Sequence, residues 1–293
     1  MMDFVATLLT WGVLAQLVRI AVPYVLAALG GTLTERSGVI DLAIEAKLLC
    51  GAFAAAVATV ESDSVAVGIV AGALAGASVG AVQAVAAIRL GAEQVVTGIA
   101  LNLAAVGLTR FLLGAIYGHD ESSLNIVGHD HTVWRSPIVW LAIALVALVV
   151  IGLERSRPGL RIRAVGEHPE AVAAAGASVV RTRWLALLIG GAVAGVGGAQ
   201  LSLGVGQFVP EMSGGRGYVA LAAVIMSGWR PGRAALVCVG FGAAETLQIR
   251  MQNLGGGLPP ELVALLPYAL ALVLLVAIKP RTSAPSAIGK PWP

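Results

Sequence analysis

Residues 65–88 read VAVGIVAGALAGASVGAVQAVAAI, a run without a single charge. As a helix it would be on the order of 36 Å long, enough to cross a hydrocarbon layer of about 30 Å. Within it Gly68, Gly72, Gly76 and Gly80 recur every four residues and lay a stripe of bare backbone along one face. In lipid, helices gain nothing by escaping water, so close backbone approach is what holds neighbours together. The run therefore reads as a membrane-crossing helix packed on its glycine edge.

The same pattern extends in both directions. Of 293 residues, 58% are hydrophobic and 12% charged, with mean hydropathy +0.88; a soluble domain carries roughly 25% charged residues. Apolar segments fall at 4–29, 39–60, 94–116, 138–153, 184–203, 218–228, 234–249 and 262–278, with short polar connections that leave no room for a soluble domain. The expectation is an all-α integral membrane protein, a polytopic helix bundle of about nine membrane segments (about eight to ten) with broken or re-entrant helices. Residues 1–280 form one transmembrane domain, and 281–293 a short tail that reads as disordered. Cys50 and Cys238 sit inside apolar runs and read as small buried hydrophobes. The chain starts without a positive region ahead of its first apolar run, so that run reads as a retained span.

Two interruptions stand out. The glycines of GGTLTERSG, 30–38, break the first run, and the next opens with Asp41, Glu45 and Lys47. With Asp41 and Glu45 one turn apart on a helix face, this is either a helix end dipping into the headgroups or a broken helix lining a cavity. Farther on, GVGQFVPEMSGGRG, 204–217, precedes the segment 218–228, too short to cross comfortably alone. Asn102 and Glu245 add polarity inside other spans. The loop 117–137 holds His119, His129 and His131 among acids but offers no helical ligand spacing, so no metal is expected there.

The connection 154–183 is the polar exception in an apolar chain. Arg155, Arg157, Arg161, Arg163, Arg181 and Arg183 crowd it, and Pro169 at a first helical position with Glu170 near the positive helix end marks a short helix running toward Gly176. With nine crossings this connection shares a side with about thirteen of the 19 basic residues, which makes it and the C-terminus cytoplasmic. The net charge of +3 is thus a matter of topology, and no nucleic-acid partner is implied. No nucleotide-binding glycine loop precedes Lys47, Lys279 or Lys290, and HExxH, CxxC and GxSxG are absent, so the chain reads as a transport subunit and not an enzyme. Proton-coupled transport through Asp41, Glu45 and Glu245 is the alternative.

Four stretches, GTLTERSGVIDLAIE (31–45), GAEQVVTGIALN (91–102), LRIRAVGEHPEA (160–171) and RGYVALAAVI (216–225), resemble in order the permease subunits of ribose-type and nucleoside-type ABC importers. The likeness is greatest to the shorter permease of nucleoside importers. The resemblance implies a multi-pass subunit of the bacterial cell membrane, surrounded by lipid, that carries nucleosides or simple sugars and binds no cofactor itself. ATP and Mg would sit on a partner ATP-binding subunit; a second permease (a heterodimer, or a homodimer) and an extracytoplasmic substrate-binding protein complete the set. It further implies that Gly166, Glu167, His168, Pro169, Glu170 and Ala171 contact the ATPase. Asp41, Glu45, Asn102 and Glu245 then read as polar residues of the pathway or its gate, or as satisfied interhelical hydrogen bonds. Where such permeases commonly have Asn and Glu-Gly-Met, this chain has Asp41 and Glu45-Ala46-Lys47, charges that either pair internally or change the polarity of the pathway.

Overall fold

The structure, a computed structural model, describes residues 11–118, 122, 123, 125, 126, 134, 136–253, 259, 262, 265, 269, 273 and 284–292. Among them the chain is helical throughout, with no strand: α1 (Trp11–Arg36), α2 (Ile44–Ser62), α3 (Val65–Ala84), α4 (Gln94–Tyr117), α5 (Pro137–Arg155), α6 (Arg157–Glu167), α7 (Pro169–Ala174), α8 (Val179–Val205), α9 (Arg216–Met226) and α10 (Pro231–Asn253). A wider π turn, Val85–Arg89, extends α3.

Six helices among the described residues are long and apolar enough to cross a membrane: α1, α3 with its π turn, α4, α5, α8 and α10. The expected segments at 39–60 and 218–228 are the charged α2 and the eleven-residue α9. Most of the expected segment at 262–278, and the loop histidines 119, 129 and 131, lie outside the described residues, so the figure of about nine is not reached.

The helix α8 is the centre. Its most apolar stretch is 78% buried, against 22% in α4. Around it lie α1, α2 and α3, and each contact is built on glycine. A Cβ at Gly76 would come within 2.7 Å of the Gly195 Cα, one at Gly51 within 2.7 Å of the same atom, and one at Gly190 within 2.6 Å of the Gly30 carbonyl oxygen. Gly72, Gly76 and Gly80 of α3 thus face α8 and Gly68 faces Ala55 and Thr59 of α2, while Val67, Val70 and Leu74 of α3 turn outward. Outward apolar side chains such as Leu103 and Phe111 on α4 and Leu148 and Ile151 on α5 are what a hydrocarbon solvent accepts without cost.

Two expectations are overturned. The Gly30-Gly31 pair does not break the first run: α1 continues through it to Arg36, because these glycines serve packing against Gly190 of α8 and Ile44 of α2. The tail is not disordered, since residues 284–292 return to the bundle and Ala287 N–H donates to the Gly166 carbonyl (2.9 Å) and Gly289 N–H to that of Gly38 (3.0 Å). At the same end Glu93 caps α4, accepting from Val96 N–H (2.6 Å) and Val95 N–H (3.1 Å). Those hydrogen bonds draw its carboxyl below the ordinary range.

The glycine seam makes a direct prediction. Gly76→Ala should destabilise by about 1–3 kcal/mol, as overpacking against backbone does. Gly107→Ala and Gly114→Ala, where an added Cβ meets nothing within 4 Å, should be neutral or stabilising by up to about 1 kcal/mol. Thermal unfolding of the purified variants followed by size-exclusion chromatography measures both.

Candidate functional site

Two pieces of irregular backbone lie inside the bundle: residues 37–43 between α1 and α2, and 206–215 between α8 and α9. Ser37, Val39 and Asp41 are fully buried. With no water in a hydrocarbon layer, such backbone persists only where protein supplies its hydrogen bonds. Here polar side chains supply them. The Asn102 carbonyl oxygen accepts from Ala46 N–H (2.9 Å) and its amide donates to the Leu42 carbonyl (2.9 Å). Gln94 accepts from Ile40 N–H (2.8 Å), and Gln83 donates to the Ile40 carbonyl (3.1 Å).

The second piece ends in a helix start that needs an anion. Gly214 and Gly215 take φ of +54° and +80°, which glycine adopts without a Cβ clash, and α9 begins directly after them. Glu45 from the first turn of α2 fills the position, accepting from Gly215 N–H (2.8 Å) and Gly217 N–H (2.6 Å). The carboxylate satisfies two otherwise orphan donors and sits at the positive end of the α9 dipole. Gly217 permits the approach, since a Cβ there would lie within 2.7 Å of the same carboxylate.

Two further sets of polar contacts, which with this one make up a polar ring, lie around it. Arg216 donates to Glu245 of α10 (2.5 Å) and to the Met212 carbonyl (3.0 Å), with its guanidinium 5.9 Å from the centre of the Tyr24 ring. Tyr24 Oη–H donates to the other Glu245 oxygen (2.8 Å), and Asn102 donates to the Tyr218 hydroxyl (2.9 Å). Glu45, Asn102 and Glu245 are thus brought together at the start of α9. Tyr24, Arg216 and Tyr218, not singled out as site residues from sequence, complete the group. The signal for Arg216 was present, since a mid-span carboxylate such as Glu245 calls for a cation, and Arg216 opens the only short apolar helix among the described residues.

Asp41 stands apart. It precedes the first helical residue, Ile44, so it does not share a helix face with Glu45. Lys47 Nζ lies 2.6 Å from both of its carboxylate oxygens, with both side chains wholly buried. Glu35 lies alongside, accepting from Trp229 Nε1–H (2.5 Å) and from Asp41 N–H (3.4 Å). The unusual charges form an internal pair.

At the arginine-rich end the expected short helix starting at Pro169 is α7, and a further helix, α6, precedes it, the two parted at His168. His168, Glu170 and Ala171 are exposed and Pro169 half-buried. Gly166 and Glu167 turn inward: Gly166 packs on the Arg36 carbonyl, while Glu167 lies 3.6 Å from Arg36 and accepts from Ser286 N–H (3.2 Å). Ser286 Oγ–H also donates to the Glu167 carbonyl. Trp292 joins the cluster of Val165, Val172 and Val179, and buried Arg183 donates to the carbonyls of Ser37 (3.2 Å) and Lys290 (3.0 Å).

The sequence that builds this bundle has counterparts among known proteins. Residues 13–276 match the family described as the permease component of branched-chain amino acid transport systems. The chain belongs to this permease family. The permease is 31% identical over 297 residues to the guanosine ABC transporter permease protein NupQ of Bacillus subtilis, covering 93% of each chain. It is 29% identical over 305 residues to the nucleoside ABC transporter permease protein NupC of Lactococcus lactis, covering 94% of this chain and 95% of that one. A Haloferax volcanii protein named for glucose ABC transport, TsgC13, is 37% identical over 265 residues, 85% of this chain and 80% of its own. No solved structure matches. The permease is a cell-membrane transport component of the ABC class.

The Asp41–Lys47 pair can be tested on stability. Lys47→Met leaves a buried carboxylate without its cation and should cost about 3–5 kcal/mol, whereas Asp41→Asn combined with Lys47→Met should recover most of the loss. Melting temperatures of the single and double variants in detergent give the comparison.

Proposed function

We propose that this permease forms the translocation pathway of an ATP-driven importer for nucleosides or simple sugars and is moved by a separate ATPase. The observation that carries the proposal is the polar ring at the start of α9. Two irregular segments come together there, where Glu45 caps α9 beside the Arg216–Glu245 and Asn102–Tyr218 contacts. Interrupted helices whose ends converge within a bundle are where transport sites are built. Tyr218, 46% exposed, offers an aromatic face and a hydroxyl to a neutral polar solute. The substrate class is supported by relatives named for guanosine, nucleosides and glucose.

A proton-coupled mechanism is less well supported by the same geometry. Both ring carboxylates it would use are already engaged by protein donors, Glu45 by two backbone N–H groups and Glu245 by Arg216 and Tyr24.

Movement would enter through α7. His168, Glu170 and Ala171 are its exposed face for an ATP-binding subunit that carries ATP and Mg, and the residues behind them tie α6 to α1 and to the tail. In this reading the arginine-rich end and the C-terminus are cytoplasmic, by the distribution of basic residues. A second permease and an extracytoplasmic substrate-binding protein complete the assembly, and most of the substrate discrimination belongs to the binding protein.

Glu170→Lys should lower ATP-driven uptake of guanosine in proteoliposomes holding the whole transporter by roughly tenfold or more, since reversing an interface charge opposes docking. Membrane insertion of the variant should be normal. Uptake that proceeds without nucleotide and is abolished by a protonophore would reject the importer reading. Uptake of guanosine and glucose, measured side by side, assigns the substrate class.

A further inference from the structure

A cavity of about 580 Å³ opens where the basic connection meets α8. Its polar wall is formed by Arg161 of α6 and by Arg181 and Ser178 at the start of α8; its apolar wall by Ile162, Leu185 and Ile189. No carboxylate lines it. Arg161 and Arg181 are both exposed, and neither guanidinium enters an ion pair among the described residues, unlike Arg36 and Arg216. Arg181, Leu185 and Ile189 follow one another at four-residue intervals and so share one face of α8. The apolar lane therefore reaches about 12 Å along a membrane-crossing helix from the charged end. Leu185 and Ile189 are 47% and 48% exposed.

We propose that this cavity binds one anionic phospholipid of the leaflet at the arginine-bearing end, its phosphate between Arg161 and Arg181 and an acyl chain along Leu185 and Ile189. Each half of the cavity demands a different part of that ligand. Two guanidiniums with no acceptor among the described residues are free to form charge-assisted, forked hydrogen bonds to phosphate oxygens. A basic pocket beside a membrane span is a recognised geometry for an acidic headgroup, each cation near the surface strengthening attraction severalfold. The occupant is a lipid because of the depth of the apolar lane. A soluble protein docked on α7 reaches the arginines but not Ile189, two turns farther into the hydrocarbon, and free phosphate has no use for that lane.

Native mass spectrometry of the purified full-length permease, given equal amounts of phosphatidylglycerol and phosphatidylcholine, tests the site. Phosphatidylglycerol should be retained preferentially by the parent, and Arg161→Gln combined with Arg181→Gln should reduce that retention by roughly fivefold per arginine removed. Arg161→Lys with Arg181→Lys keeps the charge without the fork and should fall between. Equal retention by the parent and the glutamine double variant, each eluting as a folded species, overturns the proposal. Release of the bound lipid by excess inorganic phosphate overturns it in favour of a phosphate site. Loss of ATPase capture by the glutamine double variant with lipid retention unchanged overturns it in favour of a protein-binding face.

Discussion

Backbone contact along α8 is the constraint on which the bundle rests. Between helices in lipid the association energy comes from dispersion and hydrogen bonding, both of which fall steeply with distance. Gly190, Gly191, Gly195 and Gly198 bring α8 against α1, α2 and α3 with no side chain between them. Three neighbours packed this closely leave little freedom to the frame. The outward faces of α3, α4 and α5 carry no comparable constraint and are filled by branched and aromatic side chains suited to lipid.

A frame of this rigidity lets the chain be irregular elsewhere. The segment 37–43 and the start of α9 expose backbone N–H and C=O groups that no regular helix satisfies, and Gln83, Gln94, Asn102 and Glu45 answer them. Every one of these side chains is mounted on a helix of the bundle. Glu45 does two things at once: it closes the start of α9 and brings the carboxylate of α2 beside Arg216 and Glu245. A site built this way has both carboxylates engaged by protein donors before any solute arrives, which suits the proposed pathway, one that must release what it accepts.

How much was legible depended on whether a residue's effect is local. The apolar runs and the four-residue glycine spacing of α3 are one-dimensional patterns, and the helices and their packing edge followed from them. The pair Gly30-Gly31 was ambiguous because the same missing Cβ permits both a break and a close approach; only Gly190 and Ile44, distant in sequence, decide between them. Asp41 and Glu45 look like one helical turn, yet the helix begins at Ile44, and the pairing of Asp41 with Lys47 depends on a fold of the intervening backbone. The ring of Glu45, Asn102, Arg216 and Glu245 draws on four helices. Sequence marked Glu45, Asn102 and Glu245 as polar residues of the spans, but not Arg216 and not their closeness to one another. The tail misled because it is rich in proline and polar residues, while its order rests on backbone bonds to Gly38 and Gly166.

That tail changes what the basic connection can transmit. The residues behind the exposed face of α7 are bonded inward: Glu167 to Arg36 at the end of α1 and to Ser286, Gly166 to Ala287, and Gly289 in turn to Gly38. Arg183 at the base of α8 holds the carbonyls of Ser37 and Lys290 together. Beyond Gly38 the chain passes directly to Asp41, paired with Lys47, and to Glu45, two residues earlier on the same helix. A displacement of α7 must therefore either break these bonds or carry the segment 37–43 with it. Several of them are buried, where breaking a hydrogen bond without replacement costs about 1–3 kcal/mol each. In the proposed mechanism a shift of α7 that keeps these bonds carries the segment 37–43 with it, toward the carboxylate that caps α9.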